Sequence, residues 1–137
     1  MLREVASLFG EDTDWPLRQC VAQSLGATGW LLVRMGRPEE ALTVCNDFVR
    51  RYGEANEGPL REILADVLLN SGTALEALRR PQEALAAYGD VLRRYDRALE
   101  APLRKAVRAA RARRKTIIRR RPGGEGNWWQ RLWHRGE

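Results

Sequence analysis

One histidine and two cysteines are all the soft metal-ligating side chains that this 137-residue chain holds. A four-ligand zinc site cannot be assembled from them within one chain, and two cysteines do not make a disulfide framework. Cys20 and Cys45 each fall on an expected helix, where a small buried apolar residue is the simplest role for both. His134 lies near the C-terminus with no nucleophile beside it. A glycine-rich phosphate loop is also missing, because Gly123-Gly124-Glu125-Gly126 lacks the Lys-Ser/Thr that such a loop needs. No long apolar run exists: Trp30-Leu31-Leu32-Val33 falls far short of the ~20 residues of a spanning helix. Met1–Gly10 has no continuous apolar stretch of the kind found in secretory leaders, so a cytoplasmic protein is expected. Strand signals are absent as well: there is no sustained alternation and no Asn-Gly or Asp-Gly turn. These absences point away from an enzyme, a cofactor or a small-molecule substrate.

What the chain does have is a repeat. Pro16-Leu17-Arg18 recurs as Pro59-Leu60-Arg61 and again as Pro102-Leu103-Arg104, at a step of 43 residues. Segments 16–58 and 59–101 share 18 identities over 43 positions without a gap. A fixed period of this size marks an array of stacked supersecondary units that binds macromolecules through extended surfaces.

Each unit reads as two helices. Helix A of the first runs from Pro16 to about Met35, with Val21, Leu25, Thr28, Leu32 and Met35 on one stripe. Gly36-Arg37 breaks it, and helix B runs from Pro38 to about Tyr52. Proline suits a first helical turn, and Glu39 and Glu40 suit the positive end of the helix dipole. The second unit repeats the plan: helix A from Pro59 to Leu78, a break at Arg79-Arg80, and helix B from Pro81 to about Leu99. Gly29 and Gly72 occupy the same mid-helix position, where glycine is unfavourable by about 1 kcal/mol relative to alanine. A neighbouring helix packed too closely for a side chain explains them, with Ala41 and Ala84 expected to face them.

The pattern Leu25, Gly29, Leu32, Gly36, Ala41, Cys45, repeated as Leu68, Gly72, Leu75, Ala84, Tyr88, resembles the tetratricopeptide repeat. The Glu-Glu-Ala-Leu and Gln-Glu-Ala-Leu openings of helix B resemble it too. The period departs from the family's usual 34. The expected fold is all-α: a helix-turn-helix solenoid over 1–121, with full repeats at 16–58 and 59–101 and partial ones at 1–15 and 102–121. Residues 122–137 form a Gly-rich hinge and a Trp-rich basic tail. Since about three repeats are normally needed for a stable array, the chain is expected to belong to a larger array or to be completed by its own copies or a partner. The resemblance implies a protein-binding inner surface lined by helix A residues outside the core: Gln23, Trp30, Arg34, Asp66, Asn70, Thr73 and Glu76. Trp30 stands out, because its counterpart is Thr73; alternatively it fills a gap beside a small residue.

Charge is split along the chain. Residues 1–100 hold 12 arginines against 16 acids, whereas 101–137 hold 12 basic residues against 2 acids. The 22 arginines against 2 lysines suggest a GC-rich bacterial genome. Arg111, Arg114, Lys115, Arg119, Arg120 and Arg121 are candidate anion ligands. Lys115 takes the position of Gly29 and Gly72, so their close packing cannot recur there. Beyond Pro122, Trp128, Trp129, Leu132 and Trp133 form a candidate docking face. Several readings of this arm stay open: an anchor on another protein or a neighbouring copy, a membrane-interface helix, a nucleic-acid binder at 103–135, or a cap folded back on the array. The principal expectation is a protein-interaction adaptor that self-associates through its tail; the alternative is an anionic-surface binder.

Overall fold

The computed structural model describes residues 15–120. Five helices and no strand make up the described residues: α1 (Trp15–Arg34), α2 (Pro38–Tyr52), α3 (Gly58–Ala77), α4 (Pro81–Tyr95) and α5 (Ala101–Arg120). The all-α solenoid expected from the repeat is what forms, as two helix pairs and a further A helix. The expected partial repeat before Trp15, and the hinge and tail beyond Arg120, lie outside the described residues.

The long period has a simple origin. The A helices α1 and α3 span 20 residues each and the B helices α2 and α4 span 15. Connections of three residues within a pair and five between pairs complete each 43-residue unit. Pro38 and Pro81 stand at the first position of the B helices, where a missing N–H costs nothing. Acids in the first turn and Arg50-Arg51 or Arg93-Arg94 in the last turn suit the helix dipole at both ends. The turn after α1 is a Schellman motif: Arg37 N–H reaches Leu32 O at 2.9 Å and Gly36 N–H reaches Val33 O at 3.1 Å, with Gly36 at φ +75°. The turn after α3 repeats these bonds, but Arg79 occupies the left-handed position at φ +59°.

The B helices bury one stripe each: Ala41, Val44, Cys45, Phe48 and Tyr52 in α2, and Ala84, Tyr88, Val91 and Tyr95 in α4. By contrast α3 is covered on both sides. Its Leu60, Leu64, Val67, Leu68, Ala74 and Leu75 are all buried, because α1 and α2 lie on one side and α4 and α5 on the other. α5 takes the A position of a third unit and buries Leu103, Ala106, Val107, Ala110 and Ile117 against α3 and α4. No helix among the described residues is long and apolar enough to cross a membrane.

Polar contacts recur with the period. Arg18 pairs with Glu57 at 2.8 Å and sits 5.6 Å from the Tyr52 ring centroid. Arg61, 43 residues on, pairs with Glu100 at 3.3 Å and sits 5.8 Å from Tyr95. Each arginine ties the start of an A helix to the end of its own B helix and to the connection that follows. Asp47 binds Arg50 and Arg51, and Asp90 binds Arg93 and Arg94. Arg94 also donates to Gly53 O at 2.7 Å, linking the ends of the two B helices.

Several expectations are corrected. Cys45 is buried but Cys20 is exposed. The equivalent of Cys20 in the second unit is Ile63, which is partly buried and meets α1 at Gly26; among the described residues no helix precedes α1 to cover Cys20 in the same way. Met35 leaves the stripe and is 62% exposed, because it lies past the last turn of α1. The second B helix stops at Tyr95, four residues early: Ala98 N–H closes a turn onto Tyr95 O at 3.0 Å and Leu99 is 83% exposed. The groups crowding the two glycines are also not Ala41 and Ala84. A Cβ on Gly29 would lie 3.1 Å from Cys45 Sγ, and one on Gly72 would lie 2.5 Å from the Tyr88 ring. The helices cross one turn further along helix B, where the larger side chain fills the space the glycine leaves.

Two outcomes follow. Gly72→Ala should lower stability by about 1–3 kcal/mol, since overpacking against a buried ring outweighs the helix-propensity gain. Gly29→Ala should stay within about 1 kcal/mol of the parent, because a thiol can yield by a few tenths of an ångström. Denaturant midpoints of the two variants check this, and equal losses would refute the difference in crowding. Separately, Arg79→Gly should raise stability by roughly 0.5–1 kcal/mol by relieving a left-handed arginine, read from the same unfolding curves.

Candidate functional site

Parallel neighbours α1 and α3 leave an open groove between them, with a volume of about 540 Å³. Helical periodicity aligns its walls. Gln23, Gly26, Ala27 and Trp30 come from α1 at i, i+3, i+4 and i+7, and Ile63, Asp66, Leu69 and Asn70 come from α3. Gly26 sets how close the two helices come: a Cβ there would lie 2.9 Å from Ile63 Cγ2. The floor is therefore apolar and the rims carry amides, a carboxylate and an indole.

Trp30 is 48% exposed, a large aromatic surface left beside the groove. The Arg34 guanidinium carbon lies 5.2 Å from its ring centroid, a cation–π contact. Asp66 is held above the ordinary carboxylate range. Desolvation is the largest cause and the nearby Glu62 charge adds to it, while the Lys105 charge opposes both. A cation brought close to this carboxylate favours its charged form.

Four of the seven residues expected on this surface, Gln23, Trp30, Asp66 and Asn70, thus line one groove, with Arg34 stacked at its edge. Thr73 and Glu76 continue the same stripe of α3 but are engaged elsewhere. Tyr88 O–H donates to Glu76 Oε2 at 2.6 Å and lies 3.4 Å from Thr73 Oγ1. Arg113 from α5 grips the Glu76 carboxylate at 2.7 Å. Burial, reinforced by the Glu76 acceptor, pushes the Tyr88 phenol up, and the Glu76 bond holds Arg113 above its usual value. Glu76 and Tyr88 therefore stitch three helices together. The floor residues Gly26, Ala27, Ile63 and Leu69 were not among the expected site residues; adjacent small residues at 26 and 27 within a helix were the available signal.

A second depression of about 550 Å³ lies where α2 leads to α3, lined by Arg18, Arg51 and Glu57 among others. Arg18 pairs there with Glu57, and Arg51 with Asp47, while Arg18 Nε and Glu57 Oε2 are buried without a hydrogen-bond partner among the described residues. Of the expected anion ligands, Arg111, Lys115, Arg119 and Arg120 are exposed on α5, and Arg114 is half-buried. Arg121 and the docking face Trp128, Trp129, Leu132 and Trp133 lie outside the described residues. Among the described residues no cluster of His, Cys, Asp and Glu could hold a metal ion.

Residues 66–98, from within α3 to just past α4, match the family model described as tetratricopeptide repeat. The α3–α4 pair is such a repeat, and α1–α2 is its equivalent 43 residues earlier. No curated protein and no solved structure matches the chain.

The state of Asp66 can be tested directly. Its folded pKa is raised, so ionisation costs stability as pH climbs from the unfolded value near 4 through the folded one. Asp66→Asn should raise the unfolding midpoint at pH 7, and the advantage should vanish near pH 3, where the carboxyl is protonated in both states.

Proposed function

We propose that this tetratricopeptide-repeat chain is a non-enzymatic adaptor that takes a partner protein's peptide segment in the groove between α1 and α3. Repeats of this family mediate protein–protein interaction. The observation that carries the reading is Trp30, half-exposed in the lining of a groove with an apolar floor and in cation–π contact with Arg34. Tryptophan is over-represented among interface hot spots, and the floor of Gly26, Ala27, Ile63 and Leu69 gives a partner's apolar side chain somewhere to go. Gln23 and Asn70 offer amides for backbone recognition, and Asp66 favours a partner that carries a cation. The fitting ligand is a short segment pairing an aromatic or aliphatic anchor with an arginine or lysine. The chain's own tail has that composition, with Trp128, Trp129, Leu132 and Trp133 interleaved with Arg131 and Arg135, so a second copy is one partner that meets these requirements.

Panning a random peptide library on the full chain tests this. Enriched peptides should carry an anchor next to a basic residue, and their affinity should fall by roughly tenfold or more with Trp30→Ala, the scale of a hot-spot truncation. Asp66→Asn should weaken the basic peptides selectively. Peptides that bind Trp30→Ala as well as the parent would overturn the groove reading. A consensus resembling Trp-Trp-Gln-Arg-Leu-Trp would identify the second copy as the partner.

A further inference from the structure

α5 departs from the other A helices on the face that in them is buried beneath a B helix. Where α1 and α3 carry Ala22 and Ala65, Leu25 and Leu68, and Gly29 and Gly72, all buried beneath a B helix, α5 carries Arg108, Arg111 and Lys115. The same face continues through Arg104 at one end and Arg119 at the other, and all five side chains are exposed. At 3.6 residues per turn these positions fall within an arc of about 80°, and at 1.5 Å per residue they span about 22 Å. The result is a straight row of five cations, of which, among the described residues, Arg111 alone has an ion-pair partner, Asp96 at 3.3 Å and itself exposed. The other basic residues of α5 are placed differently: Arg113 is bound to Glu76, and Arg114 is half-buried. Among the described residues, Glu100 is engaged with Arg61, and Asp66 interacts with Lys105, which is outside the row.

We infer that this row binds the phosphate backbone of a nucleic acid strand. A linear polyanion matches a linear set of cations, and contacts to phosphates need no groove and no base-reading side chain. The surroundings disfavour other anionic partners. An interfacial membrane helix buries an apolar face among headgroups, but the apolar residues of α5, Leu103, Ala106, Val107, Ala110 and Ile117, are spent against α3 and α4. Protein interfaces concentrate apolar and aromatic residues and deplete charge at their centre, whereas the exposed uncharged residues between Arg104 and Arg119 are Ala109 and Ala112 alone. None of the five cations lines the α1–α3 groove, so the inference does not depend on peptide binding there.

Fluorescence anisotropy of the full chain with a labelled 30-nucleotide oligo-dT and a labelled 30-base-pair duplex, over a salt series, tests it. Two variants remove the same charge: Arg108→Gln with Lys115→Gln on the row, and Arg79→Gln with Arg97→Gln at exposed positions off it. The row variant should bind about tenfold or more weakly at low salt. Its slope of log K against log salt should be shallower by about 1.4 on the single strand or about 1.8 on the duplex, the value of two phosphate contacts. The off-row variant should keep the parent slope. Equal losses in the two variants would overturn the inference, since a diffuse positive field would then suffice. So would absence of binding by the parent chain, or capture by phosphatidylserine vesicles without binding to either oligonucleotide. Circular dichroism of both variants separates these outcomes from unfolding.

Discussion

Two-sided burial of an A helix is the constraint on which this molecule depends. α3 is apolar around most of its circumference, so it is stable only while α1 and α2 cover one side and α4 and α5 cover the other. A helix of that kind cannot stand alone, and a pair of helices cannot satisfy it either. Everything else follows from meeting the requirement in turn: each unit supplies a B helix for its own A helix and a surface for the next one. The glycines at 29 and 72 admit the B-helix side chains that close this packing. The repeated arginine at 18 and 61 then ties each A helix to the connection leading to the next unit.

The same constraint explains where function can reside. Surfaces consumed by stacking are unavailable to partners, whereas the open side of the A helices and the outer face of α5 remain exposed among the described residues. On the open side, Gly26 lets α1 and α3 approach until a groove with an apolar floor is left, with Trp30 half-exposed and Asp66 beside it. In α5, the last described helix, cations replace the apolar seat that a B helix covers in α1 and α3. Tyr88 and Glu76 separate these two regions by binding Arg113, so the last helix is held by a polar clasp as well as by its buried stripe.

Much of the fold was legible because periodicity and punctuation are local. The prolines at 38 and 81 marked the B-helix starts, and the A helices begin within a residue of the expected positions. Less of the site was legible. Gln23, Trp30, Asp66 and Asn70 were reachable from helix spacing and the family resemblance, but Thr73 and Glu76 share their stripe and still turn inward to Tyr88. Spacing identifies a face; it does not identify which neighbour reaches that face. Cys20 failed for the same reason, since its exposure depends on what covers α1 and not on its own helix.

By itself, then, the sequence determined the helical class, the 43-residue unit, the pairing of A with B and the uneven charge, because each of these is written in residue types at fixed intervals along one strand of chain. The tertiary structure alone decided the groove between α1 and α3, the diversion of Glu76 into a three-helix clasp, and the survival of an open cation row on α5. Those features arise from distances between residues tens of positions apart, such as Gly26 to Ile63 or Glu76 to Arg113, and a pattern read along the chain carries no such distances.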